Sequence, residues 1–332
     1  MSILYVTADK EESGKTAVCA AIASDLCKLG KRVSIAKLVV STKKESQSQD
    51  VNMFRNILDN NISVESLPVS DKNPTANSVK EFDKSVKEIL KGKDVLIIED
   101  TSSISSTNSA KLSYSVNAAT IFVTKYTPTL DIPSLSESSK SFEKNLLGII
   151  INGLTLYQGI EVENNLIPEI ESSNLNLLGI VPEDRRLLGV SVLQIIDALE
   201  ANASGNGEMY SRLVEHFMIG EFTMDSGELY FNLRESKAVI IRGDRPDIQM
   251  SALKTPTACM ILTNDIDPIE YVSHEADLEE VPIISTKFDT NEVLNRLHNL
   301  TSDPKFDHVS KVDRFSKLIR DNTAVSDLYS SF

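Results

Sequence analysis

"SILYVTADKEESGKTAVCAAIASDLCKLG", residues 2–30, is the stretch that decides the fold. It opens with a short apolar, β-rich run, passes through a polar loop and enters an Ala-rich helix that Gly30 is placed to end. The loop closes on Gly14-Lys15-Thr16. Such a loop grips phosphate because unbonded amides at a helix N-terminus point at the anion; the lysine adds charge and the hydroxyl meets Mg²⁺. The tripeptide alone arises by chance in roughly one chain of this length in five or six. Its position between an opening strand and a helix makes it informative. We assign Glu12, Ser13, Gly14, Lys15, Thr16 and Ala17 to nucleotide binding. Asp9, Glu11 and Glu12 are out of keeping with an anion site. Like charges about 6 Å apart cost on the order of 1 kcal/mol in water and about 3 at an effective dielectric of 20. Asp9 and Glu11 are therefore expected in solvent, with Glu12 at the mouth of the site.

Outward from the loop, strand and helix signals alternate. "KRVSIAKLVV", "KDVLIIED", "AATIFVT", "NLLGIIING" and "NLLGIVPED" are near-continuous apolar runs separated by helical spacing. That pattern indicates an α/β fold, a parallel sheet with helices on both faces. The small, polar "EANASGNGEMY" around residues 200–210 reads as a linker, giving a P-loop domain over 1–202 and a smaller α/β domain over 208–332. The amphipathic "VSKVDRFSKLIRDN" near the end is expected to pack back on the second domain.

The chain has 332 residues, 41% of them hydrophobic, and a net charge of −14. Two ordinary domains fit that length. The acidity argues against nucleic acid and anionic membrane surfaces as partners. No apolar run approaches the roughly 20 residues of a membrane span, and "SILYVT" follows the initial Met without a basic leader, so a cytoplasmic protein is expected. Cys19 and Cys27, eight residues apart on one helix, stand about 12 Å from each other, too far for a disulfide. With Cys259 they read as buried small hydrophobes, and His216, His274, His298 and His308 lack zinc-ligand spacing.

The loop resembles that of dethiobiotin synthetase, Gly-Thr-Asp-Thr-Glu-Val-Gly-Lys-Thr, which also carries acids. Ala8 stands where that family has its first glycine, tolerable if φ there is negative. The resemblance implies further roles. Lys37 in "SIAKLVV" matches a lysine that binds substrate and the γ-phosphate, with Leu38 in place of the following proline; otherwise it is a strand-end lysine reaching solvent. If the chain is an enzyme, Lys15 and Lys37 are its catalytic pair. Asp50 and Glu99 match Mg²⁺ ligands and complete a set with Thr16, although Asp50 equally suits a helix N-cap. Asn152 matches an asparagine that reads adenine, and Pro182 lies in a segment near the base. Asp100 and the "TSSISSTNS" after it replace a Gly-rich substrate loop. Lys10 sits where ParA/MinD-type ATPases carry a signature lysine, but without their glycines.

"VIIRGDRPDIQMSALKTPTACMILTND" resembles the DRTGG domain. Together with "SQDV" and "GIVPEDRRLL" it makes the chain similar to the amino-terminal regulatory half of long phosphate acetyltransferases, without the acetyltransferase domain. Gly243, Asp244 and Arg245 lie before a helix that Pro246 begins, arranged either to clamp a second anionic ligand or simply to turn. The expected function is an ATP- and Mg²⁺-binding sensor; the alternative is an ATP-dependent ligase acting on a small carboxylate or carbamate. Relatives of both domains imply a homo-oligomer.

Overall fold

The computed structural model describes residues 2–40, 44–69, 73–220, 227–302 and 304–332, with the side chains of 44–50 outside that description. Two compact units form, one from residues 1–184 and 306–332, the other from 185–305.

In the first unit the apolar runs become β1 (Ile3–Ala8), β2 (Val33–Val40), β3 (Ser63–Val69), β4 (Val95–Glu99), β5 (Ala119–Lys125), β6 (Leu146–Leu154) and β7 (Leu177–Pro182). Every neighbouring pair is parallel and the sheet order is β3-β2-β4-β1-β5-β6-β7. Every residue of β4 is buried, as helices on both faces require. Those helices include α1 (Lys15–Lys28), α2 (Lys44–Ile57), α3 (Ala76–Leu90), α4 (Ser106–Ser115) and α5 (Ile132–Lys140). In this order β1 lies between β4 and β5, so the loop after β1 opens at the carboxyl ends of the central strands, where α/β sheets bind ligands.

α1 is buried nearly all round, Ala17 to Ala23 without a break. A helix that is apolar on every side needs cover on both sides. The sheet supplies one; the C-terminal helix Val309–Asn322 supplies the other. Asp25, buried, pairs with Arg320 and accepts a hydrogen bond from the Tyr329 hydroxyl at 3.2 Å. Lys28 Nζ meets Asp313 at 2.8 Å, and Gly179 of β7 bridges Thr323. This corrects the expectation that the last helix packs on the second domain: residues 306–332 belong to the first unit.

In the second unit β8 (Val190–Ser191) pairs with β10 (Leu213–Val214). β9 (Asn202–Ala203), β11 (His216–Ile219), β12 (Lys237–Arg242), β13 (Thr257–Thr263) and β14 (Ile283–Ser285) form a sheet of order β11-β12-β13-β14-β9, with β9 alone antiparallel. The stretch read as a linker therefore lies inside this unit: Asn202 and Ala203 edge its sheet against Ser285 and Ile284. Short polar residues serve an edge strand as well as a linker. Among the described residues no helix is long and apolar enough to cross a membrane.

Candidate functional site

β1 ends at Ala8 without entering the left-handed region. The chain takes that conformation instead at Glu12, φ 57°, and again at Gly14, φ 95°. Gly14 is the N-cap of α1 and provides no side-chain cap, so no side-chain bond of that kind satisfies the first-turn amides. A Cβ on Gly14 would stand 2.2 Å from Asn152 Nδ2, so a side chain here meets both strain and collision. The same Asn152 amide donates to the Ser13 carbonyl at 3.1 Å. Asn152, named as a base reader, is thus placed by β6 as a brace under the loop.

Ser13 is buried and donates to the Lys10 carbonyl at 2.9 Å. That carbonyl also accepts from Lys15 Nζ at 3.3 Å, which holds the buried lysine against its own loop. Ala17 is buried behind them. Asp9 departs from expectation. It is half-buried and accepts from Thr124 of β5 at 3.1 Å and, more weakly, from Ser13 at 3.4 Å. Glu11 is exposed, as expected, and accepts from the Ser102 hydroxyl at 2.6 Å; Glu12 is exposed too.

Behind the loop, the buried Glu99 at the end of β4 gathers two of the named residues. Its Oε1 accepts from Thr16 Oγ1 at 2.6 Å and pairs with Lys37 Nζ at 3.3 Å. Among the described residues its buried Oε2 has no hydrogen-bond partner. Register explains the meeting: Lys37 of β2 stands directly opposite Glu99, which in turn faces Val6 of β1. Asp50 lies on α2, but its side chain is outside the described residues. Among the described residues no three His, Cys, Asp or Glu side chains group as a metal cage. Pro182 ends β7 at the sheet edge, three strands from β1.

The residue after Glu99 shows what sequence reasoning missed. Asp100 is buried and accepts from Thr7 Oγ1 at 2.6 Å, Ser109 Oγ at 3.0 Å and the Thr101 amide at 2.8 Å. Burial holds its pKa above the usual carboxylate range, and these hydrogen bonds oppose the rise. The partners come from β1 and α4, 93 and 9 residues away, and no local spacing ties them to Asp100.

In the second unit Gly243, Asp244 and Arg245 are engaged locally. Arg242 forks onto Asp244 at 2.6 and 3.0 Å, and Arg245 onto Asp247 at 2.8 and 3.0 Å. A Cβ on Gly243 would lie 2.3 Å from the Ile266 carbonyl, so close backbone approach accounts for the glycine. These contacts favour the turn over the anion clamp.

Comparison with known proteins follows this division. Residues 2–190 match the family model described as AAA domain, and residues 194–300 match the DRTGG domain. Among solved structures, the MinC:MinD cell division protein complex of Aquifex aeolicus is 16% identical, covering 57% of this chain and 84% of that one, with a TM-score of 0.42. FtsY of Mycoplasma mycoides is 19% identical over 55% of this chain and 59% of its own, TM-score 0.38. The CBS and DRTGG regulatory region of Clostridium perfringens pyrophosphatase, complexed with its activator diadenosine tetraphosphate, is 17% identical over 51% and 79%, TM-score 0.30.

Proposed function

We propose a nucleotide-binding regulatory role for this chain, which belongs to the AAA-domain family and carries a DRTGG domain after its P-loop domain. The ligand is ATP with Mg²⁺, held at the loop Glu12–Ala17. The observation that carries this reading is the contact of Thr16 Oγ1 with Glu99 Oε1 at 2.6 Å, beside a helix start with no side-chain cap. A buried carboxylate oxygen with no partner costs about 1–3 kcal/mol or more, and Glu99 Oε2 has none among the described residues. The hydroxyl, the orphaned carboxylate and phosphate oxygens are the hard donor set Mg²⁺ takes, and it characteristically binds through only one or two protein carboxylates. Thr16 and Glu99, with Asp50 as third candidate, would hold the ion, which supplies charge neutralisation at the phosphates.

Each protein group has its part. The first-turn amides of α1 orient the phosphates. Lys15 brings an ammonium that the loop already positions through the Lys10 carbonyl. Asn152 fixes the loop by holding Ser13. Two features support a sensor over a ligase. Lys37, which a ligase would turn toward its substrate, pairs with Glu99. Asp100, where the synthetase resemblance has a glycine, is locked among hydroxyls. A sensor needs only that nucleotide favour one arrangement of the protein over another. The resemblance to the regulatory half of phosphate acetyltransferases points the same way, and a homo-oligomer, checked by light scattering, is expected with it.

The test is thermal stabilisation by Mg-ATP. At a concentration 100-fold above Kd a ligand adds about 2.7 kcal/mol. The parent gains this and Lys15→Ala loses it; equal stabilisation of both refutes the site. Phosphate release above about 0.1 s⁻¹ with a dicarboxylate or diamine present would favour the ligase.

A further inference from the structure

The second unit contains a cavity of about 680 Å³ that none of the roles above uses. Its volume falls within the range of small-molecule sites, roughly 300–1,000 Å³. Its walls are of two kinds. Met218, Tyr230 and Leu233 are apolar lining residues on the face that also packs Phe231, with Phe217 on the opposite face of β11, and the Tyr230 ring is set by packing against Phe231 at 5.3 Å between centroids. Arg185, His216 and Arg234 make the other. Among the described residues the one carboxylate in the lining, Glu215, has its own cation, Arg186, at 3.8 Å. Among the described residues neither Arg185 nor Arg234 has a carboxylate within ion-pair distance. In a chain of net charge −14, a concave surface with this charge excess stands out. The three basic groups also share one neighbourhood: burial, then the charges of Arg185 and Arg234, hold the His216 imidazolium below its usual pKa.

We propose that this cavity binds a mononucleotide-type anion, with a flat ring against Tyr230 and a phosphate held by Arg185 and Arg234. Guanidinium groups suit that head because their planar donors match phosphate oxygens in pairs. Aromatic faces suit the ring because stacking needs only a flat apolar partner. His216 enters from the first position of β11, as a donor to the same oxygens. The site is distinct from the triphosphate loop of the first unit and does not depend on it. It also differs from the turn at residues 242–245, whose two arginines, Arg242 and Arg245, are already paired.

Isothermal titration of the full chain with AMP, adenosine and inorganic phosphate tests it. AMP gives saturable heat, and adenosine and inorganic phosphate, the two parts of the ligand, bind at least tenfold more weakly. Arg185 and Arg234 are exposed, so the double variant Arg185→Glu/Arg234→Glu folds; circular dichroism checks this, and it weakens AMP at least tenfold. Lys287→Glu, elsewhere in the same unit, leaves AMP binding unchanged. Lys15→Ala also leaves it unchanged, which separates this site from the phosphate loop. No saturable AMP heat, equal affinity for adenosine, or loss in Lys15→Ala rather than in the arginine variant overturns the proposal.

Discussion

Replacing Phe315 by alanine tests which unit the C-terminal helix stabilises. Phe315 is 2% exposed and lies on the helix face that also buries Val312, Leu318 and Ile319. Its ring meets Phe306 edge-on at 5.9 Å. Removing a buried ring leaves a cavity and costs about 3–5 kcal/mol. Because α1 is the principal neighbour of this helix, the loss falls on the first unit. At about 1.4 kcal/mol per factor of ten, amides that exchange only when this unit opens should exchange about a hundred- to a few-thousand-fold faster. Hydrogen–deuterium exchange read peptide by peptide measures it. α1 and β1 accelerate together, while β12 and β13 keep the parent rates. Acceleration in β12 and β13 with α1 unchanged would refute the assignment of residues 306–332 to the first unit.

Gly14→Ala forces a side chain to φ 95° and against Asn152 Nδ2 at 2.2 Å. Left-handed strain of about 1–2 kcal/mol and overpacking of about 1–3 lower stability in urea by a few kcal/mol, and adding Asn152→Ala recovers the overpacking part. Asp100→Asn changes the pH profile. Burial raises the Asp100 pKa in the folded state, so the folded protein takes up its proton first as pH falls. The parent therefore gains melting temperature relative to the variant between pH 7 and about 4, down to the unfolded carboxylate pKa near 3.9; parallel profiles would contradict it.

The fold was legible where burial is two-sided. "VLIIE" and "TIFVT" are apolar without alternation because helices cover both faces of the sheet, and no other arrangement accommodates them. α1 carried the same information: a helix apolar on every side, as in "AVCAAIA", needs a second cover, and Val309–Asn322 provides it. Amphipathicity showed that this last helix packs, but it names no partner, so its placement was missed. At the site, Gly14, Lys15, Thr16 and Glu99 were readable because a strand end and a helix start dictate position. Asp9 was not, since its partner Thr124 lies 115 residues away and joins it only through the pairing of β1 with β5. Gly243 left two readings open, an anion site before a helix or a turn, and the contact that favours the turn, with Ile266, is brought in only by the fold.

The acids of the loop bear on which form of the nucleotide binds. Asp9 is held by Thr124 and Ser13, and Glu11 by Ser102. Hydroxyls orient a carboxylate without neutralising it, so the repulsion toward a bare phosphate chain persists. Lys37 offsets little of it, since it pairs with Glu99. A free triphosphate carries two more negative charges than its Mg²⁺ complex. At about 6 Å in water each like-charge contact costs on the order of 1 kcal/mol, so two fewer charges against one exposed acid relieve about 2 kcal/mol, near thirtyfold in affinity. Titration with ATP in EDTA is therefore expected to show binding weaker by at least that factor than with excess Mg²⁺. Coordination by Thr16 and Glu99 alone would produce some of this dependence, and Glu11→Gln/Glu12→Gln separates the two causes. If repulsion contributes, the double variant binds metal-free ATP more tightly than the parent and the Mg²⁺ ratio narrows. An unchanged ratio would mean that the acids lie beyond the reach of the phosphates and that the loop tolerates them through distance alone.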